Sequence, residues 1–360
     1  MNESYHRSDG GFDQPFDQPL EIAGLSDAAN RQFVVAGAGS IGCFVGGLLA
    51  GAGRAVTLLA RPRVIADVAA HGLHVTSLDG VDCRVLPSAV RATDDPAALA
   101  QAACILVAVK STDTAAMAEL IARHAPPDAL IVSLQNGVDN VPLLRERLPD
   151  RRVLAGMVAF NVVAMGEGRY HRATSGEIVL EQDAAGTAAR LDAPGLTVTA
   201  SRNITGVQWG KLLLNLNNAI NALSGLPLRD QLSQKAWREL LAEQIVEALL
   251  VTKAAGIVPV TSPLPPPLLP FVLRLPDGLF RILAGRMLRI DPQARSSMWE
   301  DLQLRRRTEI DHLQGAIIRL AAQHAQPVPL SRRIANLVKS AEEAKQGSPG
   351  LQAAEIASNR

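Results

Sequence analysis

Phe33-Val34-Val35-Ala36-Gly37-Ala38-Gly39-Ser40-Ile41-Gly42 is the stretch on which the reading of this chain turns. A short apolar run with the character of a buried strand leads into a G-x-G-x-x-G loop. An apolar stretch with helical character, Ile41–Ala52, follows. Such a glycine pattern alone is weak. A strand before it, a helix after it and a second strand-like run at Ala55–Leu59 make it a dinucleotide-binding turn. Gly37 permits the tight turn, Gly39 lets backbone approach a pyrophosphate, and Gly42 lets helix and strand pack closely. The free N–H groups that open the helix face the phosphates. Gly37, Ala38, Gly39, Ser40, Ile41 and Gly42 are therefore the expected cofactor contacts.

Outward from the loop, apolar runs at Ala103–Val109 and Ala129–Leu134 alternate with a helical stretch at Thr114–Arg123. Strands covered on both faces read as unbroken apolar runs, so this is a parallel sheet with helical crossovers. Further strand-like pieces lie at Val153–Val163, Glu177–Glu181 and Leu196–Ala200. Beyond Thr205, the stretches Gln208–Ser224, Gln234–Ala255 and Thr308–His324 carry 3.6-residue apolar spacing. The expected fold is α/β: an N-terminal Rossmann doubly wound sheet over 31–203 and an all-helical domain over 204–345. A polar tail over 1–30, with Phe-Asp-Gln-Pro repeated at 12–15 and 16–19, reads as disordered, and 346–360 as a frayed end. Seven prolines between Pro259 and Pro276 predict an extended loop or lid.

Composition narrows the function. Lys plus Arg number 36 against 35 Asp plus Glu, a net +1, which argues against a nucleic-acid partner or a basic membrane-surface protein. Aromatics are 3% of the 360 residues, too few for base-stacking platforms. Cys43, Cys83 and Cys104 form no C-x-x-C, and the seven histidines form no H-x-x-x-H or H-E-x-x-H, so no metal is expected; Cys43 and Cys104 read as small buried apolar residues. With no signal-like apolar segment and no long apolar span, the cytoplasm is the expected compartment.

The carboxyl edge of the sheet is where such folds bind ligands. After the second strand the chain reads Leu58-Leu59-Ala60-Arg61-Pro62-Arg63. The acidic residue that binds a ribose hydroxyl is missing, and Arg61 stands where a 2′-phosphate needs a cation, which favours NADP(H); an ordinary surface charge is the plain alternative. Val109-Lys110, at the end of the fourth strand, and Gln135-Asn136-Gly137, after the next, put Lys110 and Asn136 on the same edge. Asn136-Gly137 is also a common turn.

In Trp209-Gly210-Lys211-Leu212-Leu213-Leu214-Asn215-Leu216-Asn217-Asn218, helical spacing gathers Lys211, Asn215 and Asn218 on one side. Asparagine is a mediocre helix former, and solvated faces normally use Glu, Lys, Gln and Arg. A lysine among neutral amides fits a site that places a carbonyl, donates a proton and binds a hydroxyl better than it fits a wet surface. Further on, Ser297 and Glu309 would stand about 18 Å apart in one straight helix. Thr308-x-x-Asp311 has a capping-box pattern that starts a new helix, with Glu309 in its first turn and a break near 306–308. That break would let Ser297 and Glu309 converge; a carboxylate that merely favours the helix dipole is the equally simple reading.

These ordered motifs, with Ser296-Ser297-Met298 twelve residues before Thr308-Glu309-Ile310-Asp311, resemble the ketopantoate reductase (2-dehydropantoate 2-reductase) family from about Phe33 to Lys345. The resemblance implies a cleft between the two domains in which NADPH reduces the carbonyl of a 2-keto acid. It makes Lys211 the general acid, Glu309 the carboxylate at the substrate hydroxyl end, and Asn215 and Ser297 substrate contacts. Asn136 and Lys110 match cleft residues near cofactor and substrate, and Arg61 the 2′-phosphate contact. The family's second substrate asparagine, four residues after Asn215, is here Ala219, with Asn218 and Asn221 nearby; Asn218 is the substitute we name. The partner expected is a small 2-keto acid, with pairing into a homodimer left open. Another hydroxyacid or opine-type dehydrogenase, and a non-catalytic NADP-binding redox sensor, are the competing readings.

Overall fold

The computed structural model describes residues 32–283 and 293–358, so the expected tail over 1–30 lies outside it. Its strands are β1 (Gln32–Ala36), β2 (Val56–Leu59), β3 (Leu73–Ser77), β4 (Asp82–Val85), β5 (Arg91–Thr93), β6 (Ala102–Val107), β7 (Leu130–Ser133), β8 (Val153–Val158), β9 (Val162–Gly166), β10 (Arg169–Arg172), β11 (Ile178–Glu181) and β12 (Val198–Ser201). Among them run helices α1 (Ser40–Gly51), α2 (Pro62–His71), α3 (Thr114–His124), α4 (Asn140–Arg147) and α5 (Thr187–Leu191). The rest is helical: α6 (Ile204–Asn215), α7 (Asn217–Ser224), α8 (Leu228–Ser233), α9 (Lys235–Ala254), α10 (Leu269–Leu273), α11 (Asp277–Leu283), α12 (Ser297–Gln303), α13 (Gln314–Gln323), α14 (Pro329–Ala344) and α15 (Ala353–Ala357).

Eight strands form the main sheet in the order β12-β11-β8-β7-β6-β1-β2-β5, parallel except where β11 meets β8. Alternate residues of one strand feed opposite cores, as a period of two requires. Val35, Leu58 and Leu106 pack with Phe44 and Leu48 on one face. Val34, Ile105 and Ile131 pack with Ile121 and Leu144 on the other. Truncating one such side chain to alanine typically costs about 2–5 kcal/mol.

The sequence reading needs several corrections. Val153–Val163 is two strands, β8 in the main sheet and β9 in a second sheet ordered β4-β3-β10-β9. These strands are short and only half covered, which hides them from an apolar-run search. They close on α1 because its glycines make room: a Cβ on Gly47 would collide with Val75, and one on Gly51 with Cys83. Three strands, β3 to β5, therefore intervene before Ala102–Val107, which is the sixth strand and not the fourth.

Gln208–Ser224 lies within two helices, α6 and α7, interrupted at Leu216. The Leu216 carbonyl is met by Gln314 Nε2 at 3.0 Å. The proline segment is no free loop. Its first residues are irregular, but Pro266, Pro267 and Pro270 open short helical turns, where a missing N–H does no harm. Fully buried Arg238 of α9 pins it, donating to the carbonyls of Leu273 (3.0 Å) and Leu275 (2.7 Å) and to Asp277 Oδ1 (2.8 Å).

The expected fraying of 346–360 fails over 351–358. Leu351 N–H donates to the Leu223 carbonyl, Gln352 and Glu355 form a capping box, and Ile356 is fully buried. Cys43 and Cys104 are buried free thiols, which burial pushes up to about 11 and about 12. No helix among the described residues is long and apolar enough to cross a membrane.

Candidate active site

The glycine loop joins β1 to α1 at the carboxyl edge of the main sheet. Gly37 has φ +94°, and a Cβ there would collide with Val109. A Cβ on Gly42 would press on the Gly37 carbonyl at 2.8 Å. At Gly39 the same test meets nothing within 4 Å, so this residue faces open space instead of protein. It is also the cap of α1 and offers no side chain to the first N–H groups. Gly37, Ala38 and Gly39 line a cavity of ≈ 360 Å³ together with Arg61, Arg63, Lys110 and Asp113. Open space at Gly39, an uncapped helix start and cations along the rim fit a dinucleotide. Arg61 is the N-cap residue of α2, has 84% of its side chain exposed and sits 3.7 Å from Asp113.

Lys211 reaches from α6 to the carboxyl ends of β7 and β8. On its neighbour Gly210 a Cβ would run into the Val260 carbonyl, so only glycine lets residues 258–260 lie along α6. The ammonium donates to Asn136 Oδ1 at 2.8 Å and to the Val158 carbonyl. Burial pulls its pKa down to about 8, against the opposing pull of the Glu309 carboxylate. The lysine and asparagine singled out on separate domains thus meet.

Glu309 crosses the cleft from the helical side. Its Oε1 accepts from Ser111 Oγ at 3.2 Å, beside Lys110, whose ammonium lies 2.8 and 3.0 Å from the two oxygens of Asp301. The chain does break before Glu309, since α12 ends at Gln303 and α13 starts at Gln314. The expected capping box is absent. Thr308 Oγ1 accepts from Ile310 N–H, and Glu309 precedes a single 3-10 turn instead of sitting in the first turn of a helix. The helix-dipole reading of Glu309 loses its footing.

Ser297 is exposed in the first turn of α12, which packs on α7. Asn215, the last residue of α6, and Asn218, in α7, are both partly covered. Lys211 and Asn215 remain i, i+4 neighbours on α6 as expected, while the interruption at Leu216 puts Asn218 on the next helix.

The family model described as ketopantoate reductase PanE/ApbA matches residues 33–184, and its C-terminal counterpart matches 203–342. The chain belongs to the ketopantoate reductase family. A 2-dehydropantoate 2-reductase of Halobacterium salinarum is 30% identical over 318 residues, 86% of this chain and 98% of that protein. A PanE/ApbA family ketopantoate reductase from Ralstonia eutropha superposes with a TM-score of 0.76 at 33% identity, covering 88% and 99% of the two chains. A D-mandelate dehydrogenase solved with NADH and anilino(oxo)acetate shares the fold, with a TM-score of 0.71 over 87% and 99% of the chains at 19% identity. Membership makes the protein an oxidoreductase acting on a CH–OH group and dependent on a nicotinamide cofactor.

Within this member of the family the structure separates the asparagines near the departure at Ala219. Ala219 is fully buried. So is Asn221, whose amide is spent on the Leu226 carbonyl, Gln231 and the Ser296 N–H. Asn218, by contrast, is partly exposed. Sequence reasoning missed Ser111 and gave Asp301 no role. Each contacts a residue distant in sequence, and neither carries a local signal beyond its place beside Lys110 or on α12.

Proposed function

We propose that this protein reduces a 2-keto acid to the 2-hydroxy acid with NADPH, most simply 2-dehydropantoate to pantoate, with Lys211 as general acid. The observation that carries the reading is the Lys211 ammonium, with a pKa near 8, held by the neutral oxygens of Asn136 and Val158 at the carboxyl edge of the sheet that also carries the glycine loop. The bound nicotinamide supplies a hydride to the carbonyl carbon. Lys211 stabilises the negative charge growing on the carbonyl oxygen and then gives it the proton. Glu309 accepts a hydrogen bond from the substrate hydroxyl, and Asn215, Asn218 and Ser297 hold the rest of the acid. Gly37–Gly42 receive the pyrophosphate, Arg61 the 2′-phosphate, and Lys110 and Asn136 flank the nicotinamide end. The domain limits we assign are 31–203 for the cofactor and 204–345 for the substrate, in a protein of the cytoplasm.

The test is loss of reduced-nicotinamide absorbance with ketopantoate against a panel of 2-keto acids, each with and without an amine, using NADPH and NADH. Preference for ketopantoate and NADPH supports the assignment. A faster reaction with another acid transfers it to that substrate, and NADPH binding without turnover of any acid defeats it.

A further inference from the structure

The Glu309 carboxylate is met by a hydrogen-bond chain whose direction is fixed inside the sheet half. Gln135 Nε2 donates to the Val109 carbonyl at 3.1 Å, a group that only accepts, so the orientation of this amide is set. The same nitrogen donates to Thr114 Oγ1 at 2.7 Å, while Gln135 Oε1 accepts from Ser133 Oγ at 3.2 Å. Having accepted from Gln135, the Thr114 hydroxyl gives its own proton to Asn140 Oδ1 at 2.8 Å. Asn140 Nδ2 then donates to the Asn136 carbonyl, again acceptor-only, and to Ser111 Oγ at 3.0 Å. Ser111 cannot aim its proton back at an NH₂ group. Two acceptors remain: the Asn136 carbonyl at 3.4 Å, already served by Asn140, and Glu309 Oε1 at 3.2 Å. The charged oxygen is the stronger acceptor. All five relay residues are buried, where such bonds are strengthened.

We infer that Ser111 is a positioning residue for this active site. It fixes Oε1 of Glu309 through a hydrogen bond whose polarity the Gln135–Thr114–Asn140 chain imposes, and so couples the carboxylate of the helical half to the sheet half. The inference rests on Glu309 serving the substrate end of the proposed reductase.

The test uses Ser111→Ala, Glu309→Gln and the double variant of the full-length protein. Ser111→Ala is expected to lower kcat/KM for the keto acid about tenfold, the worth of a hydrogen bond to a charged group, with the KM for NADPH within about twofold. Unchanged kcat/KM, or a loss confined to the KM for NADPH, overturns the role. Urea midpoints of the ligand-free variants give a readout that does not need turnover. The double variant is expected to shift the midpoint by less than the sum of the single shifts, and additive shifts overturn the coupling whatever the kinetics show. If the parent protein reduces no 2-keto acid, the reductase reading fails and the midpoints alone decide whether Ser111 holds Glu309.

Discussion

Lys110 of the sheet half and Lys211 of the helical half carry the same chemical group in contrasting surroundings. Lys110 is half exposed, and both oxygens of Asp301 hold its ammonium at 2.8 and 3.0 Å. Lys211 is held by an amide oxygen and a peptide carbonyl, and burial brings it to about 8. Neutral oxygens do not repay the hydration that the Lys211 ammonium loses on burial. The proposed proton donor is set apart by its neutral hydrogen-bond partners.

The sharpest way to break this contrast is Lys211→Ala. Turnover is expected to fall by about a thousandfold, the usual worth of a general acid, with the dissociation constant for NADPH changed less than about threefold. Near-normal turnover in stopped-flow or steady-state assays would remove Lys211 from the chemistry. Glu309→Gln comes next, with a loss of about a hundredfold in kcat/KM for the keto acid. It also carries a signed pH effect. In the proposed reaction Lys211 must be protonated, so kcat in the parent is expected to decline as pH rises through about 8. The Glu309 carboxylate raises the lysine's pKa, so its removal is expected to move that decline to lower pH. A pH–rate profile that stays in place contradicts the coupling.

Arg61→Ala probes the outer end of the groove. Loss of a charge-assisted contact to phosphate is expected to raise the KM for NADPH about tenfold and leave NADH within about twofold. Equal changes for both cofactors deny Arg61 the 2′-phosphate. The smallest effect belongs to Lys110→Gln. Its ion pair is half covered, with Asp301 the more buried partner, and is worth about 1–2 kcal/mol, so the thermal midpoint is expected to move by a few degrees and the alkaline decline in kcat to stay in place. A displaced decline would mean that Lys110 shares the proton-donor role.

The glycine loop, the apolar strands and the two-part plan were legible because each is written in contiguous residues with a fixed period. The break before Glu309 was legible too, although its cause was misread: Thr308 turns the backbone locally and caps no helix. The second sheet escaped notice because its strands are short and half covered, and its packing depends on glycines in a helix far along the chain. The proline segment looked like a lid because Arg238, which ties it down, lies on α9 and outside the segment.

By itself the sequence determined which side chains could do chemistry: a phosphate-binding turn, two lysines, a carboxylate and a set of amides in a fixed order. Tertiary structure decided which of them meet and in what surroundings. Asn136 joins Lys211, Ser111 joins Glu309, Asp301 claims Lys110, and Asn221 is withdrawn into the core. The physical reason is that helical and strand periods depend on neighbours a few residues apart. Desolvation and hydrogen-bond direction depend on whatever the folded chain brings alongside.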